Sequence, residues 1–198
     1  RTDCPVQAVR RTAQGAEVRA WGGEWEAFDE VIFATHSDDT LTMLSDPTEA
    51  EKRALGAIRY QPNDIVLHAD ASIMPKRRST WASWVYTEDR EQKSDRIDLT
   101  YWMNSLQPIP QDDLHFVTLN TKRSIREDLI YDQVTLRHPV YDLAALAAQD
   151  EVRAFNGSQN TWFCGAWMRH GFHEDGLASA VDVVERMQAA RAAPLAAE

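Results

Sequence analysis

"NTWFCGAWMRHGFHEDGLASAVDVVERM", Asn160 to Met187, decides how this chain is read. The apolar run Thr161–Cys164 has the length of a buried strand and stops at Gly165. A polar loop follows, with His170, His173, Glu174 and Asp175. From about Gly176, the residues Leu177, Ala180, Val181, Val184 and Met187 recur at helical spacing and predict an amphipathic helix. A strand, a bare glycine, a polar loop and a helix start in that order suit two tasks. One is to hold an anionic cofactor; the other is to hold a metal.

The cofactor reading rests on the helix start, where free backbone N–H groups and the helix dipole favour negative charge. Gly176 carries no side chain to keep a planar ligand away from those groups. A reduced flavin is negative around N1 and its C2 carbonyl, so such a start suits it. The plainer alternative makes Gly165 a strand end and Gly176 a turn, and spacing alone does not separate the two. For a metal, His170, His173, Glu174 and Cys164 are all zinc-ligand types. They match no ordered motif such as H-E-x-x-H, and Gly171 interrupts any helix through both histidines. The expectation is therefore no metal, with a His170/His173 metal enzyme kept as the lesser rival. Asp175 is expected to N-cap the last helix. Glu174 either shares that job or bonds a ligand hydroxyl, and Cys164 is expected to be a small buried residue.

Composition narrows the class. The 198 residues, 43% hydrophobic and 26% charged, suffice for one generous domain or two small ones. A net charge of -10, with no basic run beyond "PKRR" at Pro75–Arg78, argues against nucleic acid as a partner. No apolar run reaches the roughly 20 residues that span a bilayer, and no signal-peptide pattern is present. Two distant cysteines, Cys4 and Cys164, predict a reduced, cytoplasmic protein without a disulfide framework. The opening "RTDCPVQAV" runs almost directly into strand-like sequence without an initiator Met, as expected of a piece of a longer protein.

Along the chain, Gln7–Arg11, Ala16–Trp21 and Trp25–Phe28 predict three short strands joined by glycine turns. Val31–Phe33 is a continuous apolar run, as in a parallel strand buried on both faces. Ser37 is expected to cap a helix through Leu44. Thr48, with Glu51 three residues on, predicts a capping box for the next helix. The middle is strand-rich: "DIVLHAD", "STWASWVYT", "RIDLTYWMN", "HFVTLNT" and "DQVTLRHPVY" lead to a short helix at Asp142–Gln149. Trp81, Trp84, Tyr86, Tyr101 and Trp102 concentrate there, as core or as the wall of an apolar pocket. After Gln188 the tail is Ala-rich. The predicted fold class is α/β plus α+β. The first and last parts form one domain (1–46 and 151–198), into which a mostly antiparallel sheet domain (47–150) is inserted.

With those residues placed, "FCGAWMRHGFHEDGLASA" resembles the C-terminal FAD-binding motif of flavin-containing amine oxidoreductases, in particular bacterial proteins described as predicted NAD/FAD-binding. "FDEVIFATHSDDTLTMLSD" is similar to their strand–helix unit, and "LHADASIMPKRRSTWASW" and "YWMNSLQ" to their substrate-domain strands. The resemblance implies a Rossmann-like FAD/NAD(P)-binding domain with an inserted substrate domain. It also implies an FAD-dependent oxidoreductase of amine oxidase or desaturase type, taking a hydride from an amine or apolar small molecule. Gly165 and Ala166 would lie near the pyrophosphate or ribityl chain. His170, Gly171, Phe172 and His173 would lie near the flavin edge, beside Glu174 and Asp175. Gly176 and Leu177 would offer N–H groups to the C2 carbonyl. No side chain stands out as catalytic.

Two departures qualify this. Ala166-Trp167 stands where many relatives have a cofactor-touching Glu, and none of the 8 glycines forms Gly-x-Gly. The dinucleotide loop is thus missing from this stretch, and the segment alone is expected to bind FAD poorly. A cofactor-free binding or assembly module using the aromatic sheet is the rival of another class. A homo-oligomer is compatible with either.

Overall fold

The computed structural model describes residues 1–88 and 96–192. In chain order the elements are β1 (Val6–Thr12), β2 (Gly15–Ala20), β3 (Trp25–Phe28), β4 (Val31–Phe33), α1 (Ser37–Met43) and α2 (Glu49–Ala57). There follow β5 (Arg59–His68), β6 (Trp84–Thr87), β7 (Asp98–Trp102), α3 (Met103–Leu106), β8 (Phe116–Leu119) and β9 (Ile130–Val140). The chain closes with α4 (Leu143–Phe155), β10 (Thr161–Phe163) and α5 (His173–Ala192). The last part of the Ala-rich tail, 193–198, lies outside the described residues. No helix among the described residues is long and apolar enough to cross a membrane.

Two compact units divide the chain: Arg1–Tyr60 with Pro139–Glu198, and Gln61–His138. The insertion is thus shorter than 47–150. Ala54, Leu55 and Ile58, in and just after α2, share one core with Ala145, Ala148 and Val152 of α4, so both helices belong to the first unit. Burying those two apolar faces together outweighs the Pro47 break that suggests a boundary at 46/47.

In the first unit β1, β2 and β3 form an antiparallel meander. Below it, Arg11 pairs with Glu51; their side chains are only 4% and 7% exposed. Glu51 also closes the capping box, its carboxylate accepting from the Thr48 N–H at 2.8 Å while Thr48 Oγ1 accepts from the Glu51 N–H at 3.2 Å. β4 and β10 pair in parallel, Thr161 opposite Val31 and Phe163 opposite Phe33. Phe33 and Phe163 stack at 5.7 Å within the main core. Ile32 departs from the expected two-sided burial, being 46% exposed.

The outer edge of β10 is closed by the turn before it. The Asn156 amide donates to the Phe163 carbonyl (2.9 Å) and accepts from the Phe163 N–H (2.8 Å), while the Gly157 N–H donates to the Thr161 carbonyl (2.9 Å). An asparagine side chain therefore takes the place of a neighbouring strand, one way a sheet edge is blunted.

Two helices differ from their expected form. Ser37 is the first residue of α1, not its cap: His36 holds the cap position, and the Ser37 N–H donates to the Tyr60 hydroxyl at 2.8 Å. α5 begins at His173, about a turn before Gly176. Its buried side is Val183 with Ala180 and Met187, packed on Trp162 and Cys164. Leu177, Val181 and Val184 are 60%, 45% and 48% exposed, so the predicted stripe is divided between two faces.

The second unit is a five-stranded sheet in the order β6-β7-β8-β5-β9. Its register stacks Thr100 beside Thr118, and His68 beside Phe116, on a buried face. His68 Nδ1 accepts the Asp70 N–H (3.1 Å), so Nε2 carries the proton toward Thr118 (2.8 Å). Burial lowers the pKa of that imidazole. The opposite face carries two cross-strand rows, Trp84–Tyr101–Val117–Leu67 and Tyr86–Leu99–Leu119–Ile65. Trp81 and Trp102 instead pack edge to face, at 5.3 Å.

Candidate functional site

Ligands of open parallel sheets bind beyond the carboxyl ends of the strands. In the first unit those ends are Ala34–His36 after β4 and Cys164–Gly165 after β10. They are tied together by Trp167, whose indole N–H donates to the Thr35 carbonyl at 2.9 Å. This tie explains Gly165. Its φ is +145°, and a Cβ there would lie 2.7 Å from Trp167 Nε1. The missing side chain makes room for tryptophan.

The turn from Gly165 to Phe172 is held from several sides. Gln149 donates to the carbonyls of Trp167 (2.9 Å) and Arg169 (2.6 Å). The Gly165 N–H donates to Ser179 Oγ at 2.8 Å, and the Gly171 N–H to the Ala166 carbonyl at 3.1 Å. Gly171 (φ +93°) faces Tyr141, where a Cβ would come within 2.7 Å of the phenol oxygen. That hydroxyl is buried without a partner, and burial pushes its pKa up to about 12. Nearby in sequence to α1, His36 stacks on Tyr60 at 4.3 Å, and burial also raises the Tyr60 pKa.

At the start of α5 the donors fall in a different place from the one the sequence suggests. Asp175 is no N-cap; it sits inside the first turn and accepts from the N–H groups of His170 (3.2 Å) and Phe172 (3.0 Å). The Asp175 and Gly176 N–H groups donate to the Phe172 carbonyl, at 3.0 and 3.2 Å. Gly176 is therefore not a free donor, and Leu177 lies deeper in the helix. The N–H groups of Ala166, His173 and Glu174 have no acceptor among the described residues. A Cβ on Gly176 would lie 3.7 Å from the Ala166 nitrogen, so the first turn of α5 rests against Ala166. The opening is not plugged: His170, Gly171, Phe172, His173 and Glu174 are all exposed, Phe172 by 61%.

This arrangement suits a hydrogen-bond acceptor or a negative group, presented to open amides at the positive end of a 20-residue helix. It fits the electron-rich edge of a flavin. It does not supply a pyrophosphate cradle, since no Gly-x-Gly occurs. The metal rival fares worse. Cys164 is buried with its thiol pKa raised by burial, and it forms no ion-sized group with His170, His173 and Glu174. Among the described residues, the group with that spacing is His36, Asp38 and Asp39.

Thr35, Tyr60, Tyr141 and Trp167 belong to this site, and sequence reasoning missed their part in it. Trp167 and Thr35 are 132 positions apart, and no local pattern announces such a tie.

No protein-family model matches the chain, and no curated protein matches it in sequence. Its fold is shared with solved structures. One is a CLA-producing fatty acid isomerase from P. acnes (TM-score 0.64, 13% identity, covering 92% of this chain and 47% of that one). A candidate protoporphyrinogen oxidase from an Exiguobacterium species matches with TM-score 0.65 and 12% identity, over 94% and 47% of the two chains. Reduced UDP-galactopyranose mutase gives the same TM-score, 0.65, at 12% identity and 94% and 47% coverage. At these identities the likeness is one of fold, and the chain spans about half the length of each.

Proposed function

We propose that the chain is the C-terminal part of an FAD-dependent oxidoreductase taking a hydride from an amine or apolar substrate, with the groups that would meet the flavin in the first unit. One observation carries this: the N–H groups of Ala166, His173 and Glu174 have no acceptor among the described residues, where a parallel strand ends and a long helix begins. An oxidase and a mutase studied in its reduced state, both of this fold, are consistent with redox chemistry.

When bound, FAD would supply the acceptor for a hydride leaving a carbon beside an amine or on an apolar chain. The chain's own residues do the rest. His173 and Glu174 would offer N–H groups to a hydrogen-bond acceptor on the ring. Asp175 holds the loop amides of His170 and Phe172, which fixes the loop that leads into the helix. Gly165, Gly171 and Gly176 give the backbone its path, and Leu177 and Phe172 flank it with apolar surface. In the second unit, the Trp84–Tyr101–Val117–Leu67 row offers an apolar wall for substrate. The same row, exposed at Trp84, also supports the rival reading, a cofactor-free module that docks on another protein.

The test uses the intact protein containing this chain. The purified protein should be yellow, with a flavin spectrum. Glu174→Pro removes one N–H in the first helical turn, where proline is tolerated. It should weaken flavin binding about tenfold, as for the loss of roughly 1.4 kcal/mol. A protein without flavin that also fails to take it up refutes the proposal. Unchanged affinity in Glu174→Pro refutes the assigned donors.

A further inference from the structure

A cleft in the first unit is walled by the last turn of α4, the turn after β10 and the middle of α5. Each wall contributes one arginine: Arg153, Arg169 and Arg186. A guanidinium keeps its charge at any ordinary pH. Against these three charges the lining sets one carboxylate, Asp182, a surplus of two positive charges in a chain whose net charge is -10.

The arginines are positioned without being neutralised. Arg186 donates to the Arg153 carbonyl at 2.8 Å and has no carboxylate partner among the described residues. Arg153 donates to the Met168 carbonyl and to Asp150, whose side chain is 82% exposed. Arg169 meets Asp182 at 3.1 Å, in a pair open to water on both sides. A carbonyl orients a guanidinium but leaves its charge, and ion pairs this exposed are largely screened. Asn156 and Ser179 also line the cleft, yet both are engaged with backbone, at Phe163 and at Gly165 and Gly176. The donors left for a ligand are guanidinium N–H groups.

We propose that this cleft is an anion site that takes a phosphate group. Guanidinium forks match phosphate oxygens, and a dianion fits the surplus of two charges better than a singly charged carboxylate does. The site does not rest on the flavin reading. Asp182 and Arg186 lie about 14 and 20 Å along α5 from His173, away from the opening of that helix. A bound phosphate would join α4, the turn and α5, and so stabilise the first unit.

Calorimetric titration of the intact protein containing this chain with inorganic phosphate, at constant ionic strength, tests the proposal. Binding should saturate at one phosphate per chain. Arg186→Gln should weaken it about tenfold, the usual scale for losing a charged hydrogen-bond donor. Asp182→Asn removes the competing carboxylate and should tighten it severalfold. Arg53→Gln, at an arginine paired with Glu151 outside the cleft, should change nothing. Acetate should bind at least tenfold more weakly than phosphate. Glycerol phosphate binding as tightly as phosphate, or more so, marks a phosphorylated small molecule as the ligand; weaker binding marks free phosphate; either supports the site. The titration is read without flavin, so a failure of the flavin reading would leave its result standing. No saturable binding, unchanged affinity in Arg186→Gln, an equal loss in Arg53→Gln, or acetate binding as well as phosphate overturns the proposal.

Discussion

The carboxamide of Asn156 pairs with both the N–H and the carbonyl of Phe163, at 2.8 and 2.9 Å, so a side chain closes the border of the parallel pair. Phe163 is 1% exposed, and neither backbone group has water to turn to. Asn156→Ala should therefore lower stability by about 1–3 kcal/mol for each group left unpaired. Denaturant unfolding checks this: the midpoint should fall with little change in slope.

Gly171 and Tyr141 form a second close relationship, because an added Cβ would sit 2.7 Å from the phenol oxygen. Gly171→Ala should destabilise by about 1–3 kcal/mol, through both the clash and the positive φ. Tyr141→Phe removes a buried, unpartnered hydroxyl and should be neutral or mildly stabilising. Combining them should recover part of the loss, with a coupling of roughly 1 kcal/mol in a double-mutant cycle. Strict additivity would show that the two residues do not meet.

The same phenol sets a pH window. Its folded pKa is raised to about 12, above the usual value of 10.0. The folded state thus prefers the proton more strongly than the unfolded chain does. The associated stability is complete below pH 10 and is lost as pH rises toward 12. Unfolding measured across that range should show a decline that Tyr141→Phe makes shallower.

Much of the fold is legible in local pattern. The meander follows from alternation between glycine turns, and the Thr48–Glu51 box from two residues three apart. α5 is harder. Its first turn, His173–Asp175, is polar and reads as loop, although acids there suit the positive end of a helix. Val183 and Val184 are adjacent, so two stripes at helical spacing compete, and only packing on Trp162 selects the one through Val183. The site is harder still. The strand–loop–helix order locates it, but its free amides follow from where the helix begins. Its ties, Trp167 to Thr35 and Tyr141 to Gly171, join distant segments.

Glu51 serves two structures at once, capping α2 and pairing with Arg11. Thr48→Ala should cost about 1 kcal/mol, the usual loss of a cap. Arg11→Met should cost more, about 3–5 kcal/mol, because the Glu51 carboxylate stays buried without its cation. Comparable losses in thermal or denaturant unfolding would show that the ion pair is no more than surface decoration.

Asn156 is followed by Gly157, the dipeptide most prone to spontaneous deamidation, in which the glycine nitrogen attacks the side-chain carbonyl and expels ammonia to form a succinimide. In the folded chain both reactants are engaged, the amide by Phe163 and the Gly157 N–H by Thr161. Native molecules should resist this ageing, whereas unfolded ones are open to it. Each damaged chain would return with an aspartate or isoaspartate in place of the amide that donates to the Phe163 carbonyl, so an excursion out of the native state leaves a chemical scar that hinders the way back.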